Sequence, residues 1–148
     1  MMTISEMKAC HVSQVAELEK LCFQDPWSEK SIAGELNNPL SLWLVALEDD
    51  TVVGYIGSQT VYGETDMMNV AVHPDHRRRG IARILIEALM KDLKNYRGST
   101  CLTLEVRASN EPAKALYEML EFRQVGLRKN YYRNPREDAL ILRKEWEI

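Results

Sequence analysis

The segment Val70-Ala71-Val72-His73-Pro74-Asp75-His76-Arg77-Arg78-Arg79-Gly80-Ile81-Ala82 has the residue types for binding an anion. A β-branched run leads into a polar loop, and the loop leads directly into a helical pattern. The first turn of a helix carries backbone N–H groups without intrahelical acceptors, and its dipole favours negative charge. Gly80 and Ala82 are small enough for a phosphate to approach the main chain, while Arg77, Arg78 and Arg79 bring positive charge beside it. The combination makes a diphosphate cradle, although taken alone it is also a plain helix start with a solvated arginine run. The glycine fingerprint of dinucleotide folds and the P-loop pattern are both absent.

A second group of reactive side chains lies further along the chain. In Leu104-Glu105-Val106-Arg107-Ala108-Ser109-Asn110, strand alternation puts Leu102, Leu104 and Val106 on one face, and Thr103, Glu105 and Arg107 on the other. Glu105 is either ion-paired with Arg107 or free to act as a general base. Asn110 and Tyr117 are seven residues apart, which is about 20° apart around a helix and two turns along it. One helix face can therefore present both the amide and the phenol. Taken singly, they are also an ordinary helix cap and a half-buried core tyrosine. Trp27, Tyr131 and Tyr132 supply aromatic surface from two other loops, although Trp27 equally suits a core-staple position.

His73 and His76 flank Pro74 without a third ligand at a useful spacing, so no metal site is expected. His11 is expected on a helix surface. Cys10, Cys22 and Cys101 are an odd number without tight spacing, which argues against a disulfide framework or a zinc knuckle.

These side chains need elements to hold them. A short strand near Thr3–Ser5 precedes Val12, Val15, Ala16, Leu18 and Cys22 at helical spacing. Asp25-Pro26-Trp27-Ser28 breaks that helix and starts a short second one running to Asn37; Asp25 and Ser28 are both N-cap types, and Pro26 suits a first turn. Leu42–Leu47, Val52–Tyr62 and Met67–Val72 read as a three-stranded meander. A helix over Ile81–Leu93 and a strand from Leu102 come next. Asn110 caps another helix, and Phe122–Leu127 and Ala139–Arg143 form two last strands around a polar, aromatic loop. The order β-α-α-β-β-β-α-β-α-β-β predicts a mixed α+β domain spanning residues 1–148. Its long helical crossover implies one parallel pair in a mostly antiparallel sheet.

The chain has 148 residues, 45% apolar and 28% charged, with a net charge of −3. That is ordinary globular composition for one domain. It lacks the basic excess of a phosphate-neutralising nucleic-acid binder. No apolar run reaches the ~18 residues of a membrane span, and no leader pattern opens the chain. A cytoplasmic protein is expected, with no nucleic-acid or membrane partner.

Arg77-x-x-Gly80-x-Ala82 resembles the acetyl-coenzyme-A signature of the GNAT superfamily of N-acetyltransferases. Asn110-x-x-Ala113-x-x-Leu116-Tyr117-x-x-x-x-Phe122 resembles that superfamily's later motif, with Glu121 where the family usually has glycine. The stretch Leu104–Asn110, the Pro26-Trp27-Ser28 turn, Asn130-Tyr131-Tyr132 and Arg136-Glu137-Asp138-Ala139 together resemble its ribosomal-protein-alanine N-acetyltransferase branch. The resemblance covers essentially the whole chain. It implies the GNAT fold: a central mixed, mostly antiparallel seven-stranded sheet with one splayed parallel pair, flanked by four helices. It implies acetyl-coenzyme A as cosubstrate, with Val70, Ala71, Val72, Arg77, Arg78, Arg79, Gly80, Ile81, Ala82 and Asn110 as its contacts. Glu105 becomes the base, Tyr117 the acid, and Trp27 with Tyr131 or Tyr132 the walls of the acceptor slot. The implied acceptor is the N-terminal alanine of small-subunit ribosomal protein eighteen. Acetylation of another N-terminus or a small amine, and a non-catalytic acetyl-coenzyme-A-binding module, use the same residues.

Overall fold

Local residue chemistry sets the element boundaries in the structure, a computed structural model that describes residues 2–147. The chain forms β1 (Met2–Glu6), α1 (Val12–Cys22), α2 (Glu29–Glu35), β2 (Ser41–Glu48), β3 (Thr51–Val61), β4 (Glu64–Val72), α3 (Ile81–Tyr96), β5 (Cys101–Arg107), α4 (Glu111–Met119), β6 (Arg123–Tyr132) and β7 (Glu137–Glu145). Short 3-10 turns occupy Ala9–His11 and Pro74–His76. The Ser28 hydroxyl accepts the Ser31 N–H at 3.1 Å and starts α2. The Asn110 side-chain oxygen accepts the Ala113 N–H at 3.2 Å and starts α4, with Pro112 in the first turn. Pro26 lies ahead of α2 instead of within it, because the capping side chain is Ser28.

One seven-stranded sheet has the order β1-β2-β3-β4-β5-β7-β6. All neighbours are antiparallel except β4 and β5, which the α3 crossover makes parallel. Their pairing covers only Glu64–Asp66 against Cys101–Thr103, after which the strands part. Immediately beyond Asp66, Gly57 pairs with Asn69 and Ser58 with Met67, so Met68 is an extra, bulged residue of β4. A bulge bends its strand and re-aims the side chains beyond it. Here Val70 and Val72 face the same core as Met67, while Met68 and Ala71 face the other.

The sheet separates two cores. Beneath α3 and α4, Leu44, Ile56, Leu85, Leu89, Leu104 and Tyr117 pack together. Beneath α1 and α2, Val15, Ile32, Trp43, Val45 and Tyr55 pack together. The Trp43 indole lies across Gly57, where a Cβ would come within 2.5 Å of the ring. Only glycine admits that crossing.

The expected strand at Met67 begins three residues earlier, because polar Glu64–Asp66 forms the parallel ladder. The expected loop at Asn130–Tyr132 is instead the end of β6. His11 is buried, and its Nδ1 accepts the Lys8 N–H at 3.0 Å. Burial and then the nearby Lys8 charge lower its pKa.

The end of α4 is a left-handed turn. The Phe122 N–H donates to the Tyr117 carbonyl and the Glu121 N–H to the Glu118 carbonyl, both at 2.9 Å. This is the Schellman pattern, and Glu121 takes its left-handed position at φ +70°. A side chain there costs roughly 1–2 kcal/mol. Glu121→Gly is therefore expected to raise Tm by roughly 2–4 °C, allowing for glycine's greater unfolded-state entropy. Thermal unfolding by circular dichroism measures it, and an unchanged or lower Tm would count against the strain.

Candidate functional site

The parting of β4 from β5 opens the sheet. Beyond Asp66, the amides of β4 that would face β5 have no strand partner. Val70, Ala71 and Val72 lie on this free stretch. The loop after it turns sharply, with left-handed residues at Arg78 (φ +67°) and Gly80 (φ +74°). A Cβ on Gly80 would meet nothing within 4 Å. Glycine is thus required by the backbone angle, while the space above it is open. Ile81, Ala82 and the residue after them begin α3, so their N–H groups point toward that space without helical acceptors. A diphosphate fits this cradle sterically and electrostatically.

The three arginines do different things. The Arg77 Nε donates to the Val72 carbonyl at 3.3 Å and its guanidinium approaches the Cys22 sulfur at 3.7 Å. Arg79 pairs with Glu48 at 2.9 Å, and that hydrogen bond lowers the Glu48 pKa. Arg78 has no ion pair among the described residues. Two arginines therefore brace the loop and one is left free. Near them, His73 Nδ1 accepts the Asp75 N–H at 3.1 Å, and His76 approaches Glu48 at 3.9 Å. Among the described residues, no three His, Cys, Asp or Glu side chains gather in a metal-binding group.

Glu105 and Arg107 are not partners. The Arg107 guanidinium donates to the carbonyls of Pro135 and Arg133 and pairs with Glu137 at 3.3 Å. It also stacks 4.3 Å above the Tyr132 ring. Glu105 instead faces Arg128 across the sheet at 3.4 Å. The Tyr131 hydroxyl is also within hydrogen-bonding reach of Glu105, which raises that phenol's pKa. The tyrosine pair thus divides: Tyr132 is packed under Arg107, and Tyr131 is presented to solvent beside Glu105. Asp66 shares the open face, and its pKa is raised by burial and then by the charges of Glu105 and Glu64. Arg128, 5.6 Å over the Tyr131 ring, and Arg143 act on Asp66 in the opposite direction, so the face carries both signs of charge.

Tyr117 is on the opposite side. It is 4% exposed and packs edge-on against Phe122 at 5.5 Å. Burial, and then the neighbouring Tyr132, push its phenol pKa well above the usual value. Burial and then Glu105 push Tyr132 itself up to about 12. Glu105 thus lies just past Thr103, the last β5 residue paired with β4, and Tyr117 lies in the core on the other face of the sheet. Asn110 stays at the start of the Tyr117 helix, its side chain occupied as a cap.

Trp27 sits edge-on to Trp43 at 5.5 Å, and its main-chain N–H donates to Glu19 at 2.8 Å. Sequence reasoning does not single out Glu19 or Arg128. A signal for Glu19 is present: it falls on the same α1 stripe as Val12, Val15, Ala16 and Cys22. A cavity of about 220 Å³ lined by Glu6, Glu35, Trp43 and Arg97 lies elsewhere, near the start of β2.

Residues 12–122 match the acetyltransferase (GNAT) family. The chain is 40% identical over 145 residues to the Salmonella typhimurium ribosomal protein bS18-alanine N-acetyltransferase, covering 96% of both chains. The crystal structure of the Escherichia coli ribosomal-protein-alanine N-acetyltransferase superposes with a TM-score of 0.91 at 35% identity, covering 100% of this chain and 96% of that one. Arabidopsis thaliana NAA60 in complex with acetyl-CoA has a similar fold, with a TM-score of 0.87 at 16% identity over 98% of each chain.

Proposed function

This chain belongs to the acetyltransferase (GNAT) family and is an acetyl-coenzyme-A-dependent N-acetyltransferase, and we propose that its acceptor is the N-terminal alanine of ribosomal protein bS18. The observation that carries the acceptor is the 40% identity, over 96% of both chains, to a relative named for that reaction. The solvent-facing pair Glu105 and Tyr131 supports it, beside the gap between β4 and β5.

In this reading the cradle from Arg77 to Ala82 takes the diphosphate, with Arg78 as its free cation. Asn110 and the free edge of β4 from Val70 to Val72 run along the rest of the cosubstrate. The acceptor arrives on the Glu105 face, between Trp27 and Tyr131, with Tyr132 as the packed support of Tyr131. A protonated amine has no lone pair to attack with. Freeing an α-amine at pH 7 costs ~1 kcal/mol, against ~4–5 for a lysine. Glu105 takes that proton, directly or through water, and the amine attacks the thioester carbonyl. A free N–H of the β4 edge donates to the oxygen as it gains charge. The Tyr117 hydroxyl gives its proton to the departing sulfur.

The test is an acetyl-transfer assay on peptides with a free N-terminal alanine, the same peptides blocked, peptides whose only amine is lysine, and polyamines. The alanine peptide is expected to exceed the lysine peptide by roughly 10²–10³-fold in kcat/KM, as the amine pKa difference dictates. Turnover on polyamines or lysine with none on the alanine peptide would replace this acceptor. Cosubstrate binding without turnover on any amine would remove catalysis altogether.

A further inference from the structure

Among the described residues, Glu19 is the only carboxylate with no exposed surface. None of their lysines or arginines lies within ion-pairing distance of it. Its carboxyl group is held by hydrogen bonds alone. One oxygen accepts the Trp27 main-chain N–H at 2.8 Å. The other accepts the Asn69 side-chain amide at 2.8 Å and the Tyr55 hydroxyl. The main-chain carbonyl of the same residue accepts the Phe23 N–H at 2.9 Å. Glu19 therefore grips both ends of the connection between α1 and α2, its carbonyl at Phe23 and its carboxylate at Trp27. It ties that connection to Asn69, the residue between the β4 bulge and Val70.

A carboxylate removed from water without a counter-ion is costly, and an apolar side chain would pack there more cheaply. What the carboxylate supplies is placement. Three donors from three separate elements converge on one group, and a shift of any of them leaves a buried polar atom unpaired. The aromatic layer repeats the connection: Trp27 packs on Trp43, and Trp43 stacks on Tyr55 at 5.9 Å.

We infer that Glu19 is a positioning residue for acceptor binding, fixing the Trp27 wall of the slot against the strand that presents the acetyl group. The inference rests on Trp27 being an acceptor wall. Its signature is a split between the two substrates, because Trp27 hangs on Glu19 directly, while the diphosphate cradle has no bond to Glu19 and Asn69 is also held by its pairing with Gly57 in the β3–β4 ladder.

Steady-state kinetics on the full chain with an N-terminal-alanine peptide and acetyl-coenzyme A test it. Glu19→Gln, which cannot accept all three donors, is expected to raise the peptide KM about tenfold and leave the acetyl-coenzyme-A KM within about twofold. Glu19→Asp keeps the carboxyl group but withdraws it by one methylene, and is expected to show the same split. Tyr55→Phe removes a different donor and leaves the Trp27 bond, so it is expected to lower Tm without moving either KM. Hydrogen exchange of residues 23–28 supplies a readout independent of turnover, and is expected to speed up in both Glu19 variants. Equal changes in both KM values, no change in either, or unaltered exchange would overturn the inference. If the natural protein acetylates no alanine peptide, the acceptor assignment fails, and the exchange measurement still decides whether Glu19 clamps the segment.

Discussion

Glu105→Gln is expected to lower kcat/KM for an N-terminal-alanine peptide by about 10²–10⁴-fold, the usual loss when a general base is removed. The substitution keeps the side chain's shape and removes only its ability to take a proton. Fold damage will not imitate the effect. Glu105 lies on the open face of β5, and its ion partner Arg128 has a side chain 56% exposed. Water therefore takes over the guanidinium, and exposed pairs of this kind contribute only about 0–1 kcal/mol. Tm should stay within a few degrees. The residual rate has its own signature. Without a base, only amine that is already deprotonated reacts, so the variant's rate should climb with pH until the α-amine's own pKa of about 7.7–8.0. Activity within about threefold of the natural protein, with Tm unchanged, would remove Glu105 from the chemistry.

The sequence made some of the candidate site legible and hid the rest, and sequence distance separates the two. The cradle lies within Arg77–Ala82, where a helix start, a left-handed glycine and three cations are all local properties. The Asn110 cap and the Pro112 turn are local in the same way, and the helical crossover before β5 dictated the parallel pair. The partner of Glu105 is different. It depends on β7 lying between β5 and β6, so that Glu105 faces Ile141 and Ile141 faces Gly126. That register crosses more than twenty residues and an irregularity between Arg128 and Tyr132. No pattern within Leu104–Asn110 could distinguish Arg128 from Arg107. The choice between Tyr131 and Tyr132 was hidden for the same reason, since Arg107 selects Tyr132 from across the sheet. The β4 bulge was hidden because Met67 and Met68 are both apolar, and alternation cannot show which one is extra. Glu19 was readable in principle as a charge within an apolar stripe. Its three donors come from Trp27, Tyr55 and Asn69, which only the folded sheet brings together.

Tyr117→Phe is expected to reduce kcat by about 10²-fold, toward the lower end of what a general acid contributes. A thiolate is a tolerable leaving group, since an ordinary thiol has a pKa of about 8.5. As the proposed acid, the phenol would ease a step that can proceed slowly without it. Two features suit Tyr117 to the task. Burial and the neighbouring Tyr132 hold its pKa above the usual phenol value, so it keeps its proton throughout the neutral and mildly alkaline range. Its own ionisation should consequently produce no fall in rate between about pH 7 and 9. Its edge-on packing with Phe122 also fixes the ring, so removing the hydroxyl leaves that packing in place. The acetyl-coenzyme-A KM should stay within about threefold and Tm within a few degrees. A donor thioester with a more acidic thiol should narrow the gap between Tyr117→Phe and the natural protein, because its sulfur needs less help to leave. That comparison separates proton donation from simple touching of the cosubstrate. If the hydroxyl only touched the cosubstrate, its removal would slow both donors equally, and such a result would leave Tyr117 as a packing residue at the edge of the gap.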